Sequence, residues 1–161
     1  MRVGISKQTF VAILALAGVL FIVSLVYTRV AVAPVVAAPS AAQIAANTVT
    51  IRGNVIRVSI ADTDALRQLG LGGRAGLAPD EGMLFVFPQD GSYAFWMKDM
   101  TFPIDILWLS ADKYIVDIRA DVSPDTYPHA FAPITPSRYV LELPAGYTQS
   151  NGIQIGDTAA F

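Results

Sequence analysis

A charge-free apolar stretch near the N-terminus constrains this chain more than any other feature of its sequence. No charged residue occurs from Gln8 to Thr28, and most side chains in between are apolar. A helix of roughly 20 such residues is long enough to cross a bilayer. Two basic residues precede the stretch, which places the N-terminus in the cytoplasm. We therefore predict a transmembrane signal-anchor helix over residues 10–28, after a short cytoplasmic segment at 1–9.

A cleaved signal peptide is the alternative interpretation of the same stretch. Small-residue sites that a signal peptidase could use occur at Ala31–Ala33 and Val36–Ala38, but proline follows each of them directly. The apolar run is also longer than the usual core of a signal peptide. We favour an uncleaved anchor. Both interpretations place the rest of the chain outside the cytoplasm, secreted if the segment is cleaved, and a chain without cysteine cannot be a lipoprotein.

The composition changes after the apolar stretch. Residues 29–47 are rich in alanine, valine and proline, which predicts an extended tether, with an extra strand packed on the domain as the alternative. Residues 48–161 have the length of one domain and no cysteine, so a hydrophobic core must stabilise them without disulfides. This part carries 8 basic and 13 acidic residues, a net charge of −5 (8 − 13), and no basic stripe. These features argue against a nucleic-acid partner.

Short alternating segments dominate the domain. Alternation on both sides of Gly53-Asn54 predicts a hairpin of 49–52 with 55–61. A short helix is predicted over Asp64–Leu69, with Asp62 or Thr63 as its N-cap. Further strands are predicted at 83–87 with its hairpin partner 93–98, at 104–109 with 114–119, at 138–143 and at 153–155, and a helical turn or two within 145–151.

This pattern predicts a mainly β (α+β) fold. Many short strands with one or two short helices are typical of a compact small barrel or a strongly curved antiparallel sheet. The predicted transmembrane helix precedes this domain.

Two charged residues lie within sequence that otherwise resembles core. Lys98 ends Phe95-Trp96-Met97-Lys98, and Asp105 ends Pro103-Ile104-Asp105. A buried charge is costly unless it is paired or functional, so each residue indicates an ion pair or a site. Alternation places Asp105 on the face of Leu107 and Leu109, and Glu142 on the face of Val140.

These motifs resemble the uncharacterised family called domain of unknown function 192. The resemblance covers about 55–157. It is carried by Leu69-Gly70-Leu71 with Arg74, Asp80–Phe87, Phe95–Lys98, Pro103–Asp105, Tyr139–Leu143 and Gly152-Ile153 with Gly156-Asp157. Gly72 stands where the family usually has methionine, a change that removes an apolar contact and adds backbone freedom. The resemblance implies a compact β-rich domain, often exported or anchored, and supplies no catalytic residues.

Five residues form the candidate site. They are Arg74, Trp96, Lys98, Asp105 and Glu142. One interpretation is a ligand pocket with Trp96 as its floor and the charges orienting a polar ligand. The other is a structural network of satisfied charges that fixes strand register.

Catalysis and metal binding receive less support from the sequence. Asp105 with Glu142, or Glu81 with either, could serve an acid/base hydrolase, but the sequence does not give the separation between carboxyl groups. The single histidine, His129, lies in a proline-rich segment. One histidine and no cysteine argue against zinc. We expect no catalytic residue, metal or cofactor.

The function expected from the sequence is that of a membrane-anchored extracytoplasmic module for binding or assembly, with an acid/base hydrolase as the alternative. Its expected partners are the membrane and a small polar ligand or an envelope component.

Overall fold

The structure, a computed structural model, describes residues 47–161. The predicted cytoplasmic segment, transmembrane helix and all but the last residue of the predicted tether lie outside these residues. Among residues 47–161, no helix has the length and apolar character needed to cross a membrane. The strands are β1 Thr48–Ile51, β2 Asn54–Ala61, β3 Glu81–Gly91, β4 Phe95–Trp96, β5 Ile104–Leu109, β6 Ile115–Val122, β7 Ala130–Phe131, β8 Ser137–Pro144 and β9 Ala159–Ala160. The helices are α1 Asp64–Leu69 and α2 Tyr147–Ser150, and Pro124–Thr126 forms a 3-10 turn.

Seven strands form one strongly curled half-barrel sheet in the order β6-β5-β8-β3-β2-β1-β9. The mainly β fold with two short helices confirms the predicted class. All neighbouring strands are antiparallel except β2 and β3, which are parallel. Parallel neighbours need a crossover connection, and the segment that contains α1 supplies it. The sequence pattern predicts a small barrel or a strongly curved antiparallel sheet, and the parallel β2–β3 pair departs from that prediction.

The two edges of the sheet meet at one end. Ile115 at the start of β6 donates its N–H to the Asp157 carbonyl, and Ala159 in β9 donates to the Lys113 carbonyl, each at 2.9 Å. The curl therefore closes partly, through backbone hydrogen bonds between the first and last strands of the sheet order.

The two faces of the sheet pack into separate cores because side chains alternate along each strand. All seven strands contribute to the first core, which includes Ile51, Leu84, Leu107 and Leu141. The contributions from edge and central strands indicate that this core fills the inside of the curl. The second core lies on the opposite face of the central strands, where loops and the β4–β7 pair cover it. It includes Phe85, Met97, Ile106, Trp108 and Val140.

Local signals correctly predict the first helix and the first hairpin, whose turn lies one residue before the predicted Gly53-Asn54 pair. The β1–β2 turn places Arg52 and Gly53 at φ of 51° and 82°, the left-handed geometry of a tight hairpin turn. Thr63 is the N-cap of α1, and its Oγ1 accepts a hydrogen bond from the Leu66 N–H at 3.3 Å. The predicted β5–β6 hairpin is also confirmed.

Two strand predictions are wrong. The segment 93–98 was expected to pair with β3, but only Phe95–Trp96 is a strand, and it pairs with β7. Both edges of β3 are already occupied by β2 and β8, which leaves no edge for this segment. The last strand is Ala159–Ala160 rather than 153–155, since Gly152 and Gly156 adopt positive φ and turn the chain around the buried Ile153.

Asp105 is completely buried and is satisfied by hydrogen bonds, without the predicted partner Lys98. Its Oδ1 accepts from the backbone N–H of Asp121 at 2.8 Å and of Gly146 at 3.0 Å. Its Oδ2 accepts from the Thr148 N–H at 2.8 Å and the Thr148 hydroxyl at 2.6 Å. This carboxylate joins β5 to the bend in β6 and to the start of α2, and its charge-assisted hydrogen bonds offset the cost of burial.

Asp105→Asn should destabilise the protein by about 3 kcal/mol, because the amide group presents a donor where the fold supplies only donors. Urea unfolding of the full-length chain measures this loss. Asp112→Asn, in the exposed β5–β6 turn, is the matched control and should change stability by less than about 0.5 kcal/mol. A loss below about 1 kcal/mol for Asp105→Asn would contradict the structural role.

Candidate functional site

A cleft of about 910 Å³ opens over the second core. Its lining residues are 64, 67–73, 85, 87, 93–96, 98–100 and 142. They belong to α1, the glycine-rich loop after it, β3, the segment around β4, and β8. The cleft thus lies where the crossover connection and the short β4–β7 pair pass over the outer face of the curled sheet.

Aromatic side chains form one wall of the cleft. Phe95 packs edge-on against Phe85 with ring centroids 4.8 Å apart, and Phe87 stacks on Tyr93 at 3.5 Å. The Tyr93 carbonyl accepts a hydrogen bond from the Trp108 indole N–H at 2.8 Å, which ties this wall to the core. Such a fixed wall offers flat apolar surfaces against which a ring can stack.

Backbone contacts hold the glycine-rich loop against the turn after β4. The Gly73 N–H donates to the Asp99 carbonyl at 2.9 Å, and the Thr101 hydroxyl donates to the Arg74 carbonyl at 3.3 Å. A Cβ on Gly72 would lie 3.1 Å from the Leu69 carbonyl oxygen, closer than most side chains tolerate. Glycine at this position therefore permits the close approach of the loop to its own helix.

Glu142 lies at the base of the cleft. It sits on β8 between Met83 of β3 and Ile106 of β5, and it is 5% exposed. Its Oε2 is buried and has no hydrogen-bond partner among residues 47–161. Burial raises the pKa of Glu142 to about 8, and the positive charge of Arg74 opposes part of that rise. The carboxyl group is therefore mostly protonated at neutral pH, able to donate a hydrogen bond or to exchange a proton.

The structure brings Trp96, Lys98 and Glu142 to one cleft. Trp96 is 54% exposed and stands at the rim rather than forming the floor. Arg74 is exposed, with its guanidinium 3.4 Å from the Ser59 hydroxyl, and it acts on Glu142 through its charge. Lys98 is exposed in the turn after β4, so the expectation of a charge buried in a strand is wrong for this residue.

Asp105 does not belong to the cleft. The β5–β8 register pairs Asp105 with Leu143, and Ile106 with Glu142. Directly opposite residues share a face, so Asp105 and Glu142 lie on opposite faces of the sheet. The predicted four-charge cluster is therefore not formed. The alternation that assigned each residue to its face is confirmed, but the cluster also required the register between two strands far apart in sequence.

Other chemical candidates from the sequence lie elsewhere. Glu81 accepts a hydrogen bond from the Ala78 N–H at 3.2 Å and does not line the cleft. His129 is exposed and packs edge-on against Phe131. Within residues 47–161, no group of three or more His, Asp or Glu side chains is arranged to hold a metal ion.

The sequence analysis missed several lining residues. Arg67 of α1 places its guanidinium 5.3 Å from the Phe87 ring centroid, donates to the Val86 carbonyl at 2.7 Å and pairs with Asp64 at 2.6 Å. Nothing in the local sequence connects α1 with the end of β3. The aromatic spacing of Phe85, Phe87, Tyr93 and Phe95 was a usable signal, but it equally fits ordinary core.

The raised pKa of Glu142 predicts a pH-dependent stability. The unfolded chain releases this proton near pH 4.5, whereas the folded protein keeps it until about pH 8. The folded state therefore binds more protons in this window, and its stability falls as pH rises. Glu142→Gln should remove that fall, so its stability should rise relative to the wild type by about 4 kcal/mol between pH 5 and pH 9. Urea unfolding at each pH tests this, with Glu81→Gln as control; parallel pH profiles for wild type and Glu142→Gln would contradict it.

Comparison with known proteins agrees with this fold. The crystal structure of a proposed transcription regulator from Sinorhizobium meliloti is 31% identical with a TM-score of 0.68, covering 70% of this chain and 91% of that one. The crystal structure of a protein of unknown function from Novosphingobium aromaticivorans is 30% identical with a TM-score of 0.68, covering 71% of this chain and 84% of that one. No curated protein matches the chain.

The family model of domain of unknown function 192, described as an uncharacterized ACR, matches residues 47–161. It spans all of the described sheet, both helices and the cleft, and it confirms the resemblance found in the sequence. The chain therefore belongs to the DUF192 family.

Proposed function

We propose that residues 47–161 are a binding module that takes a small ring-containing ligand into the cleft above Glu142, and that the N-terminal segment holds this module outside a membrane. The observation that carries the ligand site is the buried Glu142 Oε2 without a partner at the base of an aromatic-walled cleft.

Three carboxyl groups are buried among residues 47–161, those of Asp105, Asp117 and Glu142, and of these only Glu142 has a buried oxygen without a hydrogen-bond partner. Asp105 accepts four hydrogen bonds and has an evident structural use. Glu142 leaves a buried oxygen unmatched, which costs about 1–3 kcal/mol relative to a satisfied or apolar group. A residue that lines a cleft and leaves a buried polar atom without a partner is a candidate for ligand binding.

The size and wall of the cleft also fit a small ligand. Its volume of about 910 Å³ lies within the range of roughly 300–1,000 Å³ that ligand sites occupy. The aromatic wall presents apolar surface, and a single buried polar atom can orient the ligand. The combination of an aromatic wall with polar groups at fixed positions is typical of small-molecule sites.

A hydrolase would need two carboxyl groups facing one substrate. Asp105 lies on the other face of the sheet, Asp64 forms a salt bridge with Arg67, and Asp99 lies exposed beside Lys98 in the turn after β4. Glu142 is thus left without the predicted carboxylate partner, and binding is the better-supported function.

A nucleic-acid partner, which the description of the Sinorhizobium relative would suggest, receives no support from the charge of this domain. Acidic residues outnumber basic ones by 13 to 8 over residues 48–161. Nucleic-acid binding depends on neutralising phosphates with basic side chains.

Trp96→Ala should weaken ligand binding at least about tenfold with little loss of stability, because Trp96 is 54% exposed at the rim. NMR screening of the full-length chain against ring-containing fragments, saccharides and short peptides measures binding through the signals of cleft residues. Ile134→Ala removes a side chain that is 89% exposed and does not line the cleft, so it should leave binding unchanged. Equal weakening by both variants, or no compound that shifts cleft signals, would contradict the proposal.

Membrane anchoring predicts that the intact chain sediments with membranes and is released by detergent but not by high salt. Protease added to cells without an outer barrier should degrade the C-terminal domain, because that domain lies outside. Mass analysis of the membrane-bound chain should find residues 10–28 retained. Recovery of the intact chain in the soluble fraction, protected from protease, would overturn this part of the proposal.

A further inference from the structure

We propose that Glu142 acts as a hydrogen-bond donor to its ligand, so that the cleft selects uncharged ring compounds bearing an acceptor, such as a carbonyl group, over amines. This inference rests on the proposed binding function and names the class of ligand for the same site. The geometry behind it is that Glu142 lines the cleft while one of its carboxyl oxygens is buried without a hydrogen-bond partner.

The surroundings of Glu142 favour the uncharged carboxyl. Across the sheet, its direct neighbours are Met83 on β3 and Ile106 on β5, and neither can stabilise a negative charge. Val140, which is two positions before Glu142 on β8, lies on the same face and belongs to the second core. A charged ligand group would have to lose its hydration to reach this base, whereas a carbonyl oxygen loses much less.

The charged groups around the site also disfavour a cationic ligand. The charge that acts on Glu142 is the positive Arg74, from the glycine-rich loop. Helix α1 contributes Asp64 and Arg67, which pair with each other. The turn after β4 contributes Lys98 and Asp99, of opposite sign. The lining also includes Tyr93, whose hydroxyl donates to the Gln89 carbonyl at 2.7 Å. No net negative field therefore draws an amine to the base of the cleft.

The protonation of Glu142 predicts the direction in which ligand affinity changes with pH. Burial raises the pKa of this carboxyl to about 8, so the donor is present at neutral pH and lost above it. Binding that needs the proton weakens as the pH rises through this value. The affinity should fall about 30-fold between pH 7 and pH 9.5, in proportion to the protonated fraction of Glu142. An amine that required the carboxylate would show the opposite slope.

Three probes with one ring and different head groups test the ligand class. Acetophenone carries an acceptor, benzylamine carries a positive charge, and ethylbenzene carries neither. We expect acetophenone to bind the full-length chain at least about tenfold more tightly than ethylbenzene at pH 7, with benzylamine weakest. NMR titration follows the Trp96 indole and the Met100 methyl signals, both from residues that line the cleft.

Two substitutions separate the donor from the charge. Glu142→Gln keeps a donor that does not titrate, so acetophenone should still bind, with an affinity independent of pH. Glu142→Leu removes the donor, so the preference for acetophenone over ethylbenzene should disappear. Glu81→Gln is the matched control outside the cleft and should behave as wild type. The pH series on the wild-type chain needs no variant, so it tests the inference even where a substitution impairs folding.

The possible failures are distinguishable. Tighter binding of benzylamine that strengthens above pH 8 would overturn the donor role and leave the ligand site intact. Binding of all three probes with equal, pH-independent affinity would likewise overturn only the donor role. If no probe shifts any cleft signal, the proposed donor role is wrong for this class of ligand. If no compound of the fragment, saccharide and peptide library shifts a cleft signal either, the proposed binding function is wrong as well.

Discussion

The carboxylate of Asp105 fixes the irregular bend in β6 and the connection after β8, where the regular strand pairing is interrupted or ends. It accepts backbone and hydroxyl hydrogen bonds from the bend at Asp121 and from Gly146 and Thr148 at the start of α2. Asp121 has a φ of 53°, a left-handed conformation that a non-glycine residue adopts at some cost. Its bond to Asp105 compensates for that strain. The bend in the edge strand β6 and the connection after β8 thus both depend on one buried group of β5.

Local chemistry made much of the fold predictable. The Gly53-Asn54 pair predicted the first hairpin, although the turn lies one residue earlier at Arg52-Gly53, and Thr63 predicted the start of α1. Alternation assigned Asp105 and Glu142 to their correct faces because each assignment needs only neighbouring residues. The parallel β2–β3 pair and the β4–β7 pair were missed, since each depends on which strand edges the rest of the sheet leaves free.

The candidate site was predictable only in part for the same reason. Lys98, Trp96 and Glu142 were identified as chemically unusual, and they do line one cleft. The error was to group Asp105 with them, because a cluster of charges requires the β5–β8 register as well as alternation. Arg67 was not predicted as a site residue, because its contact with the Val86 carbonyl joins residues that are 19 positions apart in sequence. A pocket between a crossover connection and a sheet is lined by residues that are distant in sequence. Those residues can be identified only once the strand order and connections are known.

The meeting of the two sheet edges has a consequence for behaviour at high local concentration. Unpaired strand edges are templates for pairing between molecules, and a domain crowded on a surface meets its copies often. Here the start of β6 is occupied by the segment before β9. Further along β6, register shifts against β5 and the charged Arg119 and Asp121 interrupt the regular ladder. The curl therefore protects the domain against edge-to-edge aggregation as well as enclosing its main core.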